Sequence, residues 1–322
     1  MTEPGRSPRI SVIVPTRDRP GSLKQTLAPL LDQDLPLADY EIVVVDDGSS
    51  PPVRVAVGAP ACTVVRLEGA ERSAARNRGA EAARGNVLLF VDDDITVGRG
   101  FVRSHLEAHA EWPGALVVGS VAPPSWALET PLGRFKHGLE TRTRPRERGL
   151  TSSRNFCAAS NLSVERSIFH RVEGFDPLVR SGEDQDLALR HTAAGGTIAF
   201  LPEARGIHRD EASDIAAWCR RAEWGSDHLI PFCRKHPDWP DNVQRHAVNG
   251  PLRLGREPLV RSAGKVAKSL LAFAPLFPFI TAMERIWPEG RFLRALYRVA
   301  LGTSIQRGYR AGLRRDGPWA DP

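Results

Sequence analysis

Short runs of apolar residues, each followed by a polar turn, recur along the first hundred residues of the chain. They lie at residues 9–15, 40–45, 63–67 and 87–91. Runs of this length, rich in β-branched residues, are typical of buried strands in a parallel sheet. Segments with helical apolar spacing separate them, at residues 22–31 and 73–85. The pattern therefore predicts an α/β fold with a mainly parallel, nucleotide-binding sheet flanked by helices.

Carboxylates follow two of these predicted strands directly. Asp46 and Asp47 close the second run, and the triplet Asp92, Asp93 and Asp94 closes the fourth. Because parallel strands present their carboxyl ends at one edge of a sheet, where open α/β sheets bind ligands, we expect these acids to lie close together. Adjacent carboxylates repel one another, which favours a divalent cation bound by oxygen ligands. An acidic, solvated turn is the alternative interpretation.

Length and composition define the class of protein. The chain has 322 residues, of which 41% are hydrophobic and 25% charged, as in ordinary globular proteins. Its four cysteines show no paired ligand spacing and are too few for a disulfide scaffold in a chain of this length. Residues 1–8 contain no apolar core of a signal peptide. We therefore expect them to be disordered and the protein to be cytoplasmic.

Positive charge is concentrated in the last third of the chain. Arginines recur near helical spacing at positions 291, 294, 298, 307, 310 and 314, with apolar residues among them. This pattern predicts an amphipathic basic helix within a helical C-terminal extension, residues 211–322. The helix could make a peripheral contact with the inner face of an anionic membrane. Alternatively, its apolar stripe could pack on the rest of the protein or on a second copy in a homo-oligomer.

Four short sequences occur in a fixed order in the first hundred residues. They are Val-Pro-Thr-Arg at 14–17, Val-Val-Asp-Asp-Gly-Ser at 44–49, Ala-Arg-Asn-Arg-Gly at 75–79 and Phe-Val-Asp-Asp-Asp at 90–94. In this order and spacing they resemble the family 2 glycosyltransferases, which have the GT-A fold. Gly182-Glu183-Asp184 and His208 extend the resemblance. It implies a GT-A catalytic domain at 9–210, divided into a nucleotide-sugar half at 9–115 and an acceptor half at 116–210.

The resemblance implies a reaction as well as a fold. It suggests metal-dependent transfer of a sugar, with inversion, from a nucleoside diphosphate sugar to an acceptor hydroxyl. Uridine diphosphate sugars are the family's commonest donors, and the acceptor could be a glycan, a lipid-linked compound or a small molecule. Asp184 would be the catalytic base, and Glu183 would orient the acceptor. Asp186 lies roughly 200° round the helix from Asp184, so we expect it to satisfy a neighbouring backbone group or arginine.

The donor would be bound by the acidic strand ends. The resemblance makes Asp94 and His208 the metal ligands, with Asp92 either assisting them or holding the ribose, and Asp93 the most replaceable of the three acids. The metal would be Mn²⁺ or Mg²⁺, and a histidine ligand favours Mn²⁺. The predicted nucleotide-sugar contacts are Pro15, Thr16, Arg17, Asp46, Asp47, Arg76, Asp92 and Asp93. The proline- and arginine-rich segment 123–154 is predicted to be a mobile loop over the site or, alternatively, a plain surface loop.

Two other functions use the same residues. A nucleotidyl- or phosphotransferase would need a glycine loop that binds phosphate after the first strand, and residues 15–18 contain no glycine. A non-catalytic basic module that binds membranes or nucleic acid would gain nothing from an acidic cleft. We therefore predict an enzyme and no nucleic-acid partner.

Overall fold

The computed structural model describes residues 7–55, 62–209, 214–252, 257–271 and 276–318. Its strands are β1 (Ile10–Thr16), β2 (Tyr40–Asp47), β3 (Cys62–Leu67), β4 (Val87–Val91), β5 (Ile95–Val97), β6 (Leu116–Ala122), β7 (Gly149–Thr151), β8 (Asn161–Glu165) and β9 (Ile198–His208). Six helices accompany them among the described residues of the first two thirds of the chain. They are α1 (Pro20–Leu31), α2 (Glu71–Ala82), α3 (Phe101–Glu111), α4 (Pro131–Glu140), α5 (Arg166–Arg171) and α6 (Glu183–Ala193).

The C-terminal part of the chain is helical, as predicted. Its helices are α7 (Ile215–Asp227), α8 (Ile230–Lys235), α9 (Trp239–Asn242), α10 (Gln244–Ala247), α11 (Leu259–Leu271), α12 (Leu276–Ile286) and α13 (Arg291–Asp316). Among the described residues, none of these or the earlier helices combines the length and the apolar character needed to cross a membrane. The predicted disorder of residues 1–8 lies outside the described residues, apart from residues 7 and 8.

The strands form one mixed sheet flanked by helices, which confirms the predicted α/β fold class, although only part of the pairing is parallel. Its order is β3-β2-β1-β4-β8-β6-β9-β5, and β7 pairs with β9. The first four strands are parallel. β8 then pairs antiparallel with both β4 and β6, while β6 and β9 are parallel. The strand-and-helix alternation that indicates parallel pairing stops after β4, so the sequence pattern gives no signal for the direction of β8.

Both faces of the sheet are covered by apolar side chains. Alternate residues of β1 point to opposite faces: Val12 and Val14 belong to the core cluster that contains Leu27 of α1 and Leu106 of α3. Ile13 belongs to the second cluster, which includes residues of α2, α5 and α6. Since both faces are buried, β1 and β4 read as continuous apolar runs. The polar residues that follow their carboxyl ends form the candidate site.

The segment predicted to be a mobile loop, residues 123–154, contains regular structure. It holds α4 and the short strand β7, which pairs antiparallel with β9. Leu132 and Phe135 of α4 are buried in an apolar cluster with Ile215 and Tyr297. Proline and arginine occupy the turns and the exposed side of this segment, which conceals its helix from a reading of the sequence.

Two compact units make up the chain. The sheet unit holds the described residues of Met1–Pro124, Glu140–Pro177 and Glu183–Asp210. The helical unit holds those of Ser125–Leu139, Leu178–Gly182 and Glu211–Pro322. The sequence predicts a division at residue 210, and the structure differs from it because α4 packs in the apolar cluster of the helical unit.

The basic helix predicted near the C-terminus is α13, and most of its apolar stripe packs inside the helical unit. Leu293, Tyr297 and Ala300 are at most 2% exposed. Further along, a side chain on Gly308 would come within 2.1 Å of the carbonyl oxygen of Glu223 in α7. Of the two alternatives given for this helix, the structure therefore supports packing of its apolar stripe rather than membrane contact.

Candidate active site

The register between two strands brings Asp94 to His208. β5 begins one residue after Asp94 and pairs antiparallel with β9, so that Ile95 lies opposite His208. The backbone N–H of Arg209 donates to the carbonyl oxygen of Asp94 at 3.0 Å. As a result, His208 Nε2 lies 3.3 Å from Asp94 Oδ1. The two residues predicted as metal ligands are neighbours, and the pairing of β5 with β9 is what unites them.

This pair has the chemistry of a site for a divalent cation. Asp94 Oδ1 is buried and accepts no hydrogen bond from the described residues. Its separation of 3.3 Å from His208 Nε2 is close to the roughly 3 Å between adjacent ligands that each lie about 2.1 Å from a metal. A carboxylate oxygen with an imidazole nitrogen suits Mn²⁺. The residues present therefore fit a metal.

Asp92 does not join this pair. Its Oδ1 accepts a hydrogen bond from Arg76 at 2.7 Å. In the part of the chain that the structure describes, no three His, Cys, Asp or Glu side chains gather as a metal site. The role of Asp92 as an assisting ligand therefore stays a prediction. A metal held by Asp94 and His208 would take its other ligands from the donor and from water.

The buried, hydrogen-bonded environment of Asp93 contradicts the prediction that Asp93 is the most replaceable acid of the triplet. It is 5% exposed. Thr16 Oγ1 donates to Asp93 Oδ2 at 2.6 Å, and Arg19 Nη1 donates to Asp93 Oδ1 at 2.7 Å. The hydroxyls of Ser22 and Thr26 donate to its main-chain carbonyl, both at 2.8 Å. Asp93 thus ties the end of β1 and the first turns of α1 to the acidic strand end.

Arg19 is a site residue that the sequence motifs did not reveal. Its Nη2 donates to Asp94 Oδ2 at 3.0 Å while Nη1 binds Asp93. Burial alone would raise the pKa of the Asp94 carboxyl, but His208 and Arg19 outweigh it and lower this pKa to about 2. For Asp93, burial prevails and the pKa is raised. Three adjacent acids call for a compensating cation, and that need was the available signal for an arginine in the nearby turn.

Arg76 is buried between two acids from distant parts of the sequence. Its side chain is 2% exposed, and it pairs with Asp92 Oδ1 at 2.7 Å and with Glu183 Oε1 at 2.9 Å. Burial would lower the pKa of Arg76, but the two carboxylates outweigh it and raise this pKa. The guanidinium also lies 5.5 Å from the ring centre of Phe175. Arg76 was predicted to contact phosphate or base, whereas in the structure it joins Asp92 to the start of α6.

Asp184 has the perturbed acidity expected of a proton acceptor. It lies next to Glu183 in the first turn of α6 and is partly buried. Its Oδ1 accepts the backbone N–H of Gln185 at 2.8 Å. Burial and the neighbouring charge of Glu183 raise the pKa of Asp184 to about 7, against the opposing charge of Arg76. A carboxyl group with a pKa near neutrality is suited to general base catalysis.

Asp186 has the structural role that was expected of it. It is fully buried, and its Oδ2 accepts from Arg190 Nε at 2.8 Å, one helical turn later. Arg190 Nη2 in turn donates to the carbonyl of Gly174 at 2.6 Å. The prediction that Asp186 satisfies a neighbouring arginine is confirmed, and this pair holds α6 against the preceding loop.

Asp46 and Asp47, predicted to contact the nucleoside, both have internal partners. Asp46 is 1% exposed, and its carboxylate accepts from the backbone N–H of Ser49 at 2.8 Å and from Arg66 at 2.6 Å. The Asp47 carboxylate accepts the N–H groups of residues 70 and 71, at 2.6 and 3.1 Å, at the start of α2. Asp47 is therefore a helix-capping residue, and Asp46 shapes the turn after β2.

The end of β1 is bound to that same turn. Pro15 is buried and lies opposite Val45 of β2, while the side chain of Arg17 is 56% exposed. The backbone N–H of Asp18 donates to the Ser49 hydroxyl at 3.0 Å. Thr16, Arg17 and the turn after β2 thus lie along one edge of the sheet, next to the acidic triplet that Thr16 contacts.

Comparison with known proteins gives the context of this geometry. The chain is 28% identical over 240 residues to a pre-mycofactocin glycosyltransferase of Mycobacterium tuberculosis, with 71% of this chain and 48% of the relative covered. It is 28% identical over 275 residues to a validoxylamine A glucosyltransferase of Streptomyces hygroscopicus subsp. jinggangensis, covering 71% and 61%. The chain thus spans about half to three fifths of the length of these relatives.

A solved structure and a family model agree with the fold. A mannosyltransferase of Pyrobaculum calidifontis, solved with GDP-mannose and Mn²⁺, aligns with a TM-score of 0.56 at 17% identity, covering 96% of this chain and 88% of its own. The sequence model of Glycosyl transferase family 2 matches residues 11–172, half of the chain. That segment contains the end of β1, both acidic strand ends and Arg76. This chain belongs to glycosyl transferase family 2.

Proposed function

We propose that the chain transfers a sugar from a nucleoside diphosphate sugar to an acceptor hydroxyl, with inversion at the anomeric carbon and with Mn²⁺ or Mg²⁺. The observation that carries this proposal is the arrangement around Arg76. One buried guanidinium binds Asp92, from the acidic triplet, and Glu183, beside Asp184. Two groups of carboxylates 90 residues apart in sequence are thereby joined in one site within the sheet unit.

On the donor side, Asp94 and His208 would hold the metal. Bound there, the cation would stabilise the negative charge that grows on the leaving diphosphate. Arg19, 43% exposed, already pairs with Asp93 and Asp94 and presents positive charge to the same place. Arg19 would pair with the diphosphate oxygens and stabilise their negative charge when the donor binds. Thr16 and Arg17 lie at the edge where the nucleoside would be bound.

On the acceptor side, Asp184 would remove the proton from the attacking hydroxyl. The carboxylate oxygen takes the proton as the new glycosidic bond forms and the bond to the diphosphate breaks. Its pKa of about 7 lets it be ionised before the reaction and still bind the proton afterwards. Glu183, held in place by its bond to Arg76, would position the Asp184 carboxylate and orient the acceptor.

Replacing the base separates catalysis from donor binding. Asp184→Asn keeps the size of the side chain and removes its basicity, so we expect transfer to fall by a factor of about 10²–10⁴. Donor binding, measured by calorimetry, should change less than about threefold, because in this proposal Asp184 acts on the acceptor hydroxyl. Asp186→Asn is the matched control for position on α6, since it changes a structural acid. A fully active Asp184→Asn variant would contradict the assignment of the base.

The donor and the acceptor are proposed by chemical class. A uridine diphosphate sugar is the donor we propose, and the solved relative bound to GDP-mannose makes a guanosine diphosphate sugar the alternative to test. The acceptor is a hydroxyl compound: a glycan, a lipid-linked compound or a small molecule. A thermal-shift panel of nucleoside diphosphate sugars identifies the donor, because a selectively bound ligand raises the unfolding temperature by mass action.

A further inference from the structure

Helix α11 has its apolar side facing outward. Leu259 is 83% exposed, Val260 86% and Val266 45%. Ala263 and Ala267, which lie between and beside them on the helix, are exposed as well. At helical spacing these five residues form a single stripe. We call this stripe the α11 apolar face.

The opposite side of α11 is polar and buried. Lys265 is 3% exposed, and its ammonium group donates to the carbonyl of Pro251 at 2.8 Å and pairs with Glu257. The Ser262 hydroxyl donates to Glu257 at 3.0 Å, and Lys268 Nζ donates to the side chain of Asn249 at 2.7 Å. These bonds fix the rotation of the helix. Turning the apolar face inward would break the bonds of Lys265 and Lys268 to residues 248–251.

This orientation is the reverse of the usual one. In a protein surrounded by water, an amphipathic helix packs its apolar stripe on the core and exposes its polar side. An outward apolar stripe held in place by buried polar contacts indicates a surface that meets an apolar phase or a partner.

Later segments of the helical unit also expose large apolar side chains. The last residues of α12 and the turn after it expose Ile286 and Trp287, each 67% exposed, and Phe292 at the start of α13 is 55% exposed. The exposed arginines Arg285 and Arg291 flank them. Tryptophan and phenylalanine beside arginine are typical of segments that lie at the boundary between lipid and water.

Charge selects the partner. Over residues 211–322, Lys and Arg exceed Asp and Glu by seven, whereas over residues 1–210 the acids exceed the bases by one. A second copy of this chain would bring an equally positive region against the first and be repelled. A surface of anionic lipid attracts it, since each exposed Lys or Arg near such a surface favours binding.

We propose that the α11 apolar face is a docking surface for an anionic lipid membrane. The helix lies parallel to the membrane with Leu259, Val260 and Val266 among the lipid headgroups and acyl chains. The buried contacts of Lys265 hold it in this orientation before binding. The contact is peripheral, through a helix other than the basic helix α13.

Vesicle flotation without donor, metal or acceptor tests this proposal, so its outcome is independent of the proposed enzymatic activity. The vesicles are phosphatidylcholine alone or phosphatidylcholine mixed with phosphatidylglycerol. We expect the full chain to bind the mixed vesicles, to release at high salt, and to bind the neutral vesicles at least about tenfold more weakly. The double variant Leu259→Glu/Val260→Glu should weaken binding to the mixed vesicles by at least about tenfold, since it removes two side chains that would be buried.

The control is Leu37→Glu, which changes a leucine that is 47% exposed in the sheet unit. It should leave vesicle binding unchanged. The far-ultraviolet circular dichroism of all variants should match that of the unchanged chain, because the substituted positions are exposed. Equal vesicle binding by the double variant and the unchanged chain would overturn the proposal. So would a dimer in light scattering that the double variant dissociates, together with no binding to lipid, because the face would then be an interface between copies.

Discussion

Arg76 is the residue on which the geometry of the site depends most. Its buried guanidinium compensates Asp92 and Glu183, and its charge favours the ionised form of Asp184. Removing one partner from a buried ion pair leaves an uncompensated charge, which costs more than losing an exposed pair. Arg76 should therefore affect both the free energy of unfolding and the pKa of Asp184.

Replacing Arg76 by methionine keeps an unbranched side chain that can fill most of the arginine stem's space, and it removes the charged guanidinium. We expect Arg76→Met to lower the free energy of unfolding by about 3 kcal/mol, measured by urea denaturation. Arg78→Met is the matched control on the same helix, since Arg78 is half-exposed and pairs with Glu81. That change should cost at most about 0.5 kcal/mol. Equal effects of the two substitutions would contradict the buried role of Arg76.

The acidity of Asp184 predicts the pH dependence of the reaction. Because its pKa is about 7 and the base acts when ionised, kcat/KM should fall tenfold for each pH unit below that value. In Arg76→Met this limb should move to higher pH, since the charge that favours ionisation is gone. A profile that stays flat down to about pH 5 would show that another group is the base.

The same shift predicts a pH-dependent effect on stability. The pKa of the Asp184 carboxyl is 3.8 in the unfolded chain and about 7 in the folded chain, so the group ionises less readily when the protein is folded. As the pH rises from 3.8 to about 7, the free energy of unfolding therefore falls, and above about pH 7 this loss of stability is constant. Asp184→Asn should raise the unfolding temperature at about pH 8 and leave it nearly unchanged at about pH 4. The opposite order would contradict the raised pKa.

The sequence showed which residues belong to the candidate site better than it showed which residues contact one another there. The motifs single out Asp94, His208 and Asp184, and the structure brings the first two together. They do not reveal that Arg19 binds two acids of the triplet, or that Arg76 binds Glu183. Such pairs join positions up to 107 residues apart, and no local pattern encodes them.

At the scale of elements, two glycines of α13 allow this helix to pack closely on α7. Gly308 and Gly312 lie one turn apart, and side chains there would come within 2.1 and 2.3 Å of carbonyl oxygens of Glu223 and Asp227 in α7. The glycines thus let two helices approach until backbone meets backbone.

Adding one methyl group tests this close approach. Gly308→Ala should lower the free energy of unfolding by about 1–3 kcal/mol, because the α7 backbone must move aside. Gly264→Ala is the control in another helix of the same unit, where nothing lies within 4 Å of the added carbon. It should raise stability by up to about 1 kcal/mol through helix propensity. Loss of stability in the control but not in Gly308→Ala would contradict the packing described for α13.

Elements were predictable where local pattern and burial agree. β1, β2 and β4 are buried on both faces and appear in sequence as apolar runs. The reversal at β8 and the helix within residues 123–154 were missed. Strand direction depends on the path of the whole chain. Helix α4 does carry apolar residues at helical spacing, Leu132, Phe135 and Leu139, but the prolines and arginines around it obscured that short pattern.

For the molecule as a whole, two units with different charge suggest two tasks. The sheet unit holds the site residues, and the positive excess of the chain lies in the last 112 residues. The family model matches residues 11–172. These lie mostly in the sheet unit, and the larger part of the helical unit, residues 211–322, lies outside the match.

Metal-dependent donor binding is the most direct test of the proposed function. Binding of a nucleoside diphosphate sugar is measured by calorimetry with Mn²⁺ and with a chelator, for the unchanged chain, Asp94→Asn and Asp184→Asn. We expect the unchanged chain and Asp184→Asn to bind the donor at least tenfold more tightly with Mn²⁺, and Asp94→Asn to lose that difference. Donor binding that is indifferent to the chelator, or unaffected by Asp94→Asn, would contradict the account.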